Sequence, residues 1–359
     1  LEKGDIIGFM EKNKPEIDRI INHYLPEKID SEWMDFVFGK PRYEYSIEAA
    51  QKALVDPIRD LLERGGKRWR PVLFLLTACA VGGDYKKIKE IVVIPEIIHN
   101  GTLMIDDIED MGELRRGRPC THKIFGEDIA INAGNFMYYF PLIALMKNRD
   151  RFSPEILAKA YELYALEMIK LSLGQATDIF WHRGNADRIE EREYLQMCAY
   201  KTGCLARMSA KLAAILSGCG GEITENIGRV AEAIGVAFQI QDDILDITLS
   251  KEDRKSFGKP FGNDIKEGKR TLMVIRTLEK ATEKDRSRLL EILDRHTDDL
   301  EERAEAIGII EKYGAIDYSK ERARQIVRDA WVETDELLEE SPAKDKLKEF
   351  VNYLIERKV

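Results

Sequence analysis

The run ITENIGRVAEAIGVAFQIQDDILD, residues 223–246, decides the fold. Its apolar residues recur three and four positions apart, the spacing of an amphipathic α-helix. The same spacing organises residues 47–62, 88–105, 154–173 and 192–216. Ala, Leu, Glu, Lys, Arg and Met, all good helix formers, fill most of the remaining positions. Alternating runs of strand type are scarce. The pair Asn100-Gly101 has hairpin chemistry but sits inside a helical pattern and is discounted. Breakers fall between the helical stretches, at 65–66, 82–83, 117–119, 184–185, 218–221 and 258–262. The expected architecture is all-α, one bundle over residues 1–359 with no linker. It comprises peripheral helices over 1–42, a core over 43–279, and charged C-terminal helices over 280–359 with an apolar stripe that includes Ile307, Ile310 and Tyr313.

The 359 residues are 44% hydrophobic, enough for a sizeable core, and carry a formal charge of -9. That sign argues against a protein whose affinity rests on neutralising nucleic-acid phosphates. Small basic clusters break the acidic background, at Arg64, Lys67, Arg68 and Arg70 and again at Arg115, Arg116 and Arg118, a pattern suited to small anionic ligands. Five cysteines (Cys79, Cys120, Cys198, Cys204, Cys219) form no CxxC pair, which suggests unpaired thiols in a reducing, cytoplasmic setting and offers no zinc site. Apolar stretches such as residues 71–81 are too short to cross a bilayer, so no transmembrane segment is expected.

Two acidic motifs share one spacing. The first, MIDDIED at 104–110, puts Asp106 and Asp110 four residues apart, about 40° around a helix and on one face. The second repeats it with Asp242, Asp243 and Asp246. Carboxylates one turn apart repel, and near a helix C-terminus the macrodipole adds to the cost. Something cationic should offset them. All-oxygen donors without His or Cys select hard cations, magnesium above all, which commonly bridges to substrate phosphates. The stretch GGKRWRP (65–71), Arg115 and Arg116, and Lys259 and Lys269 after the second motif supply cations for phosphate contacts. Metal on one diphosphate and direct cations on another would explain the alternation of acidic and basic elements.

In order, GGKRWRP, His99 seven residues before the first Asp, DDIED followed by ELRRG, LGQ at 173–175, KTG at 201–203, FQIQDDILD and GNDIKEGK make the chain similar to the trans-polyprenyl diphosphate synthase family. The resemblance runs from about residue 54 to 275. The stretch HNGTLMIDDIEDMGELRRG is most similar to eukaryotic geranylgeranyl diphosphate synthases, and the intact second motif looks more archaeal or bacterial.

The resemblance implies helices around a deep central cavity, a homodimer, and joining of isopentenyl diphosphate to dimethylallyl, geranyl or farnesyl diphosphate. It implies three magnesium ions held by Asp106, Asp110 and Asp242, with Asp107, Asp243 and Asp246 orienting ligands and waters. Arg115, Lys201, Thr202, Gln239, Lys259 and Lys269 would hold the allylic substrate, and Lys67, Arg70, His99 and Arg116 the isopentenyl diphosphate. Glu109 occupies a variable position of the first motif.

Side chains on a helix lean towards its N-terminus, so the growing tail should run back from Asp106 past the small residues Gly101 and Thr102. No bulky aromatic stops it there, and with the resemblance this favours a C20 product. Phe136, Tyr138 or Tyr139 could form the floor. A farnesyl or longer-chain synthase remains an alternative. A terpene cyclase would not need a second diphosphate site, and a non-catalytic partner subunit typically loses its acidic motifs.

Overall fold

A computed structural model describes residues 6–186, 188–249 and 261–356, without the side chains of 355 and 356. Helices of eight residues or more begin with α1 (Ile6–Tyr24), α2 (Ser31–Phe38), α3 (Asp56–Glu63), α4 (Trp69–Ala80) and α5 (Val93–Glu109). They continue with α6 (Glu127–Tyr139), α7 (Pro154–His182), α8 (Glu191–Cys198), α9 (Cys204–Leu216) and α10 (Gly221–Thr248). Last come α11 (Leu272–Lys280), α12 (Glu283–Asp294), α13 (Leu300–Lys312), α14 (Ala315–Asp335) and α15 (Pro342–Glu356). The all-α expectation holds, and the helical stretch at 223–246 is the body of the 28-residue α10.

Helix α9 lies at the centre, packed against α4, α7 and α10. Its sequence CLARMSAKLAAIL is buried almost all round, and its small residues let neighbouring backbones come close. Helices α5 and α6 form a close pair. A Cβ on Gly101 would lie 2.8 Å from the Met137 Cβ and 3.1 Å from the Gly134 carbonyl oxygen, so α6 runs against a bare backbone. Helix α15 returns to pack on α4 and α10.

The first helices are less peripheral than the sequence suggested. Ile17, Ile21, Tyr24, Leu25 and Trp33 are all buried in the core cluster. Asp18 also accepts from Arg68 Nε at 2.9 Å, tying α1 to the start of α4.

Residues 127–147 also differ from expectation. These 21 residues are long and apolar enough, by length and composition, to cross a membrane. A 3₁₀ turn at Phe140–Leu142 interrupts them, and 56% of their most apolar part is buried inside the bundle, as for a core helix.

Among the described residues the strands are one hairpin, β1 (Leu114–Arg115) and β2 (Arg118–Pro119), antiparallel with Arg115 opposite Arg118. Arg116 and Gly117 both take positive φ, 52° and 74°, as a tight two-residue hairpin turn requires.

Candidate active site

The two acidic motifs come together in space. Asp106 and Asp110 from the end of α5 and Asp242 and Asp243 from the end of α10 line one cavity of about 490 Å³. Helix α5 ends at Glu109, with Asp110 capping it, so the first motif sits where unsatisfied carbonyls and the negative end of the dipole accumulate.

Two lysines offset the charge. Lys201 Nζ lies 3.1 Å from Asp106 Oδ1 and 2.6 Å from Asp178 Oδ2. Lys269 Nζ lies 2.8 Å from Asp110, 3.2 Å from Asp178 and 3.6 Å from Glu267. Burial would raise the Asp106 carboxyl, yet Lys201, Lys269 and Arg115 hold it well below the usual carboxylate range. Asp110 goes the other way. Burial, and then the Asp106 charge, push it up to about 7.

Lys201 reaches this position through a local irregularity. Residues Ala199–Gly203 form a π-helical turn between α8 and α9, a device that re-aims side chains within a helix. The turn presses on α7 at Gly174, where a Cβ would lie 2.3 Å from the Lys201 backbone nitrogen. Thr202 on the same turn donates to Gln239 Oε1 at 2.8 Å. Gln239 in turn donates to Asp243 Oδ1 at 2.8 Å, and Tyr194 donates to Asp243 Oδ2 at 3.0 Å.

The remaining acidic residues brace the site. Asp107 is buried and accepts both Nε (2.8 Å) and Nη2 of Arg115. Asp246, 1% exposed, accepts the Asp264 backbone N–H at 3.0 Å and so anchors the chain that leads to Lys269.

Of the cations expected at a second diphosphate, Arg70 and His99 line the cavity. Arg70 lies over the Trp69 ring at 4.3 Å. Burial and the charges of Arg70, Arg116, Arg115 and Arg68 keep the His99 imidazole well below its ordinary pKa. Lys67 is exposed and outside the lining. Arg116 is also outside it, donating to the Leu61 carbonyl at 3.2 Å and to the Gly65 carbonyl. Lys259 lies outside the described residues.

The tail-side residues separate cleanly. Thr102 lines the cavity and donates to the His99 carbonyl at 2.7 Å. Gly101 does not line it; it faces α6, and its smallness serves helix packing. Among the aromatics, Tyr138 lines the cavity. Phe136 stacks on Phe140 at 4.9 Å and meets Phe38 of α2, and Tyr139 is 68% exposed.

Two residues of the site went unassigned in the sequence reading, Asp178 and Gln175. Gln175 Nε2 donates to Asp106 at 2.9 Å and to Glu109 at 2.7 Å. Asp178 follows it by three positions on α7 and takes both lysines.

Hard oxygen donors suit a hard divalent ion. Asp110 Oδ1 is buried without a hydrogen-bond partner, an acceptor left for a cation. Among the described residues no three acidic, imidazole or thiol side chains converge on one metal position.

A polyprenyl synthetase family model matches residues 51–310. The chain belongs to this family. It is 40% identical to a short chain isoprenyl diphosphate synthase of Methanothermobacter thermautotrophicus, over 83% of this chain and 88% of the relative. It is 36% identical to a geranylgeranyl pyrophosphate synthase of Geoglobus acetivorans, over 86% and 92%. The fold superposes on the geranylgeranyl pyrophosphate synthetase of Pyrococcus horikoshii with a TM-score of 0.84 at 31% identity, covering 98% of each chain. This polyprenyl synthetase is therefore a prenyltransferase with the isoprenyl synthase helical fold.

In this prenyltransferase one histidine beside the lysines sets a pH limit on stability. Burial and the Lys269 charge press His182 down to about 4 from an ordinary 6.5. The unfolded chain then binds the extra proton, so this contribution is complete above pH 6.5 and is lost as pH falls towards 4. Urea melts of wild type and His182→Gln between pH 4 and 7 should show a flatter pH slope in the variant; equal slopes would refute the assignment.

Proposed function

We propose that the chain is a magnesium-dependent trans-prenyltransferase that adds isopentenyl diphosphate to dimethylallyl, geranyl or farnesyl diphosphate. The proposed end product is geranylgeranyl diphosphate (C20), released with pyrophosphate. The observation that carries this reading is the single cavity. Both aspartate motifs and both lysines contribute to its lining, and Leu171, Ile179, Leu205 and Phe238 supply apolar wall.

Asp106, Asp110 and Asp242 would hold the magnesium ions, three per site with substrate bound, and these would supply positive charge to stabilise the departing pyrophosphate. Lys201 and Lys269 supply two further cations, with Thr202, Gln239, Arg115 and Lys259 completing the grip on the allylic diphosphate. Arg70 and His99, which line the cavity, would hold isopentenyl diphosphate, and Lys67 and Arg116, outside its lining here, would have to turn in to join them. The allylic carbon–oxygen bond breaks and its electron pair leaves with pyrophosphate. The allylic cation then adds to the isopentenyl double bond, and proton loss to the released pyrophosphate regenerates an alkene. Orientation lowers the cost of bringing two substrates together, and the apolar wall keeps water from the cation. Asp107, through Arg115, and Asp243, held by Gln239 and Tyr194, fix the grip in place.

The working unit is read as a homodimer of single-domain chains in the cytoplasm. Leu166, Ile169, Leu173 and Phe180 of α7 are 46%, 67%, 57% and 54% exposed in the single chain. They recur at steps of three, four and seven residues and form one apolar stripe that a second copy would cover. The five cysteines are free thiols, which suits a reducing compartment.

The test is to incubate the protein with isopentenyl diphosphate, magnesium and each of the C5, C10 and C15 allylic primers, and to weigh the products. A C20 diphosphate abolished by chelator is expected. A different chain length would keep the reaction and overturn the product. No turnover in a folded, magnesium-binding sample would overturn the reading.

A further inference from the structure

We infer that Asp60 is a positioning residue for the diphosphate site, fixing the hairpin that carries Arg115 and Arg116. This rests on the reading above for the identity of the substrates. Asp60 lies on α3, outside the cavity lining, and is only 12% exposed. Its Oδ2 accepts Arg64 Nε at 3.1 Å and Nη2 at 2.5 Å, and its Oδ1 pairs with Arg118 Nη2 at 2.7 Å. The Arg64 side chain is fully buried, so its charge depends on that carboxylate. The remaining arm of Arg64 donates to the Arg115 carbonyl at 3.1 Å. One aspartate therefore grips both strands of the hairpin, Arg118 directly and Arg115 through Arg64.

The hairpin needs such a grip. Two-residue strands closed by a two-residue turn do not hold themselves in water. Yet Arg115 leaves this hairpin to bind Asp107 and to approach Asp106 at 3.8 Å. Arg116 leaves it to donate to the Gly65 carbonyl, beside the glycine turn of GGKRWRP. Small errors in aim matter at such a site, where a displacement of about 1 Å can cost up to a hundredfold in rate.

The experiment compares Asp60→Asn, Asp60→Glu and Arg118→Gln with wild type. It measures the KM for isopentenyl diphosphate, kcat, the melting temperature, and the affinity for inorganic pyrophosphate with magnesium by calorimetry. Asp60→Asn should raise KM and weaken pyrophosphate binding by about tenfold, with kcat within about threefold. Asp60→Glu should recover most of both. Arg118→Gln, a half-exposed arm whose loss leaves Arg64 paired, should give a smaller rise in the same direction.

Wild-type KM and pyrophosphate affinity in Asp60→Asn would overturn the inference. So would a fall in kcat that tracks the melting temperature with KM unchanged. If Asp60→Asn does not fold, Arg118→Gln decides, and an unchanged KM there overturns the inference. A wild-type protein that forms no prenyl diphosphate refutes the proposed reaction. Weakened pyrophosphate binding in Asp60→Asn would still support the positioning role in that case.

Discussion

Asp106→Asn should lower kcat/KM for condensation by about 10³-fold or more while the protein stays folded. Loss of one preorganised electrostatic contact to developing charge typically costs 10²–10³-fold, and Asp106 stands at the junction of several. It faces Lys201 at 3.1 Å, receives Gln175 at 2.9 Å and lies 3.8 Å from Arg115. Asparagine keeps the shape and one acceptor oxygen but removes the charge that would bind a divalent ion. A 10³-fold loss corresponds to ~4 kcal/mol of transition-state stabilisation, far more than the amide would change packing. The loss should fall mainly on kcat, and saturating magnesium should not restore it. The check is steady-state kinetics over a range of magnesium, beside circular dichroism of the variant. Activity within tenfold of wild type would show that the first motif does not carry the ionisation step.

The second large effect concerns product length. Thr102→Phe should shift the main product from C20 to a diphosphate at least one isoprene unit shorter. Thr102 lies one helical turn before Asp106, about 6 Å along the axis, and lines the same cavity. A phenyl ring there projects into the path a growing tail would take back along α5. Tyr138 of α6 lines the same cavity, so Tyr138→Ala in the same assay is the natural counterpart and should lengthen the product. Mass analysis of products from the C5 and C15 primers reads both. An unchanged product distribution in Thr102→Phe would place the tail elsewhere. Gly101→Phe is not an equivalent probe, because even a Cβ there meets Met137 at 2.8 Å and the helix pair would have to separate.

The difference between those two neighbours shows how far a sequence can be read. Residue 102 is four positions before Asp106, about 40° away on the helix. Residue 101 is five before it, about 140° away and on another face. Smallness alone does not distinguish a wall of a cavity from a contact between helices, so Gly101 and Thr102 looked alike until α6 was in place.

The carboxylate doublets were legible because charge on an apolar helix is costly and its repetition is conspicuous. The helical class was legible for the same reason, in the apolar period of α10. Asp178 was not, being one of several scattered acids on a long helix, with no acidic neighbour beside it. Its signal was the three-residue step from Gln175, which puts both on nearly one face, and that step means something only once Lys201 and Lys269 converge on it. The hairpin was hidden differently. Two residues per strand are too few for any period, and only the breakers at 117–119 marked the place. The three candidate aromatics on α6 could be ranked only by what each faces. Phe136 turns to Phe38 and Phe140, Tyr139 turns outward, and Tyr138 alone turns inward.

The link between Asp246 and Asp264 has a wider consequence. The Asp264 N–H sits on the Asp246 carboxylate at 3.0 Å, and the Asp264 carbonyl receives the Lys269 N–H at 2.9 Å. The last aspartate of α10 and the lysine that faces Asp110 are thus two ends of one short strut. Where the tip of α10 goes, the lysine ammonium follows, and any movement that spreads the two acidic helices also draws a cation off the first motif. The two motifs share a spacing but divide the labour. The first presents charge to whatever occupies the cavity, and the second presents charge and also serves as the mooring post of the first motif's counter-ion.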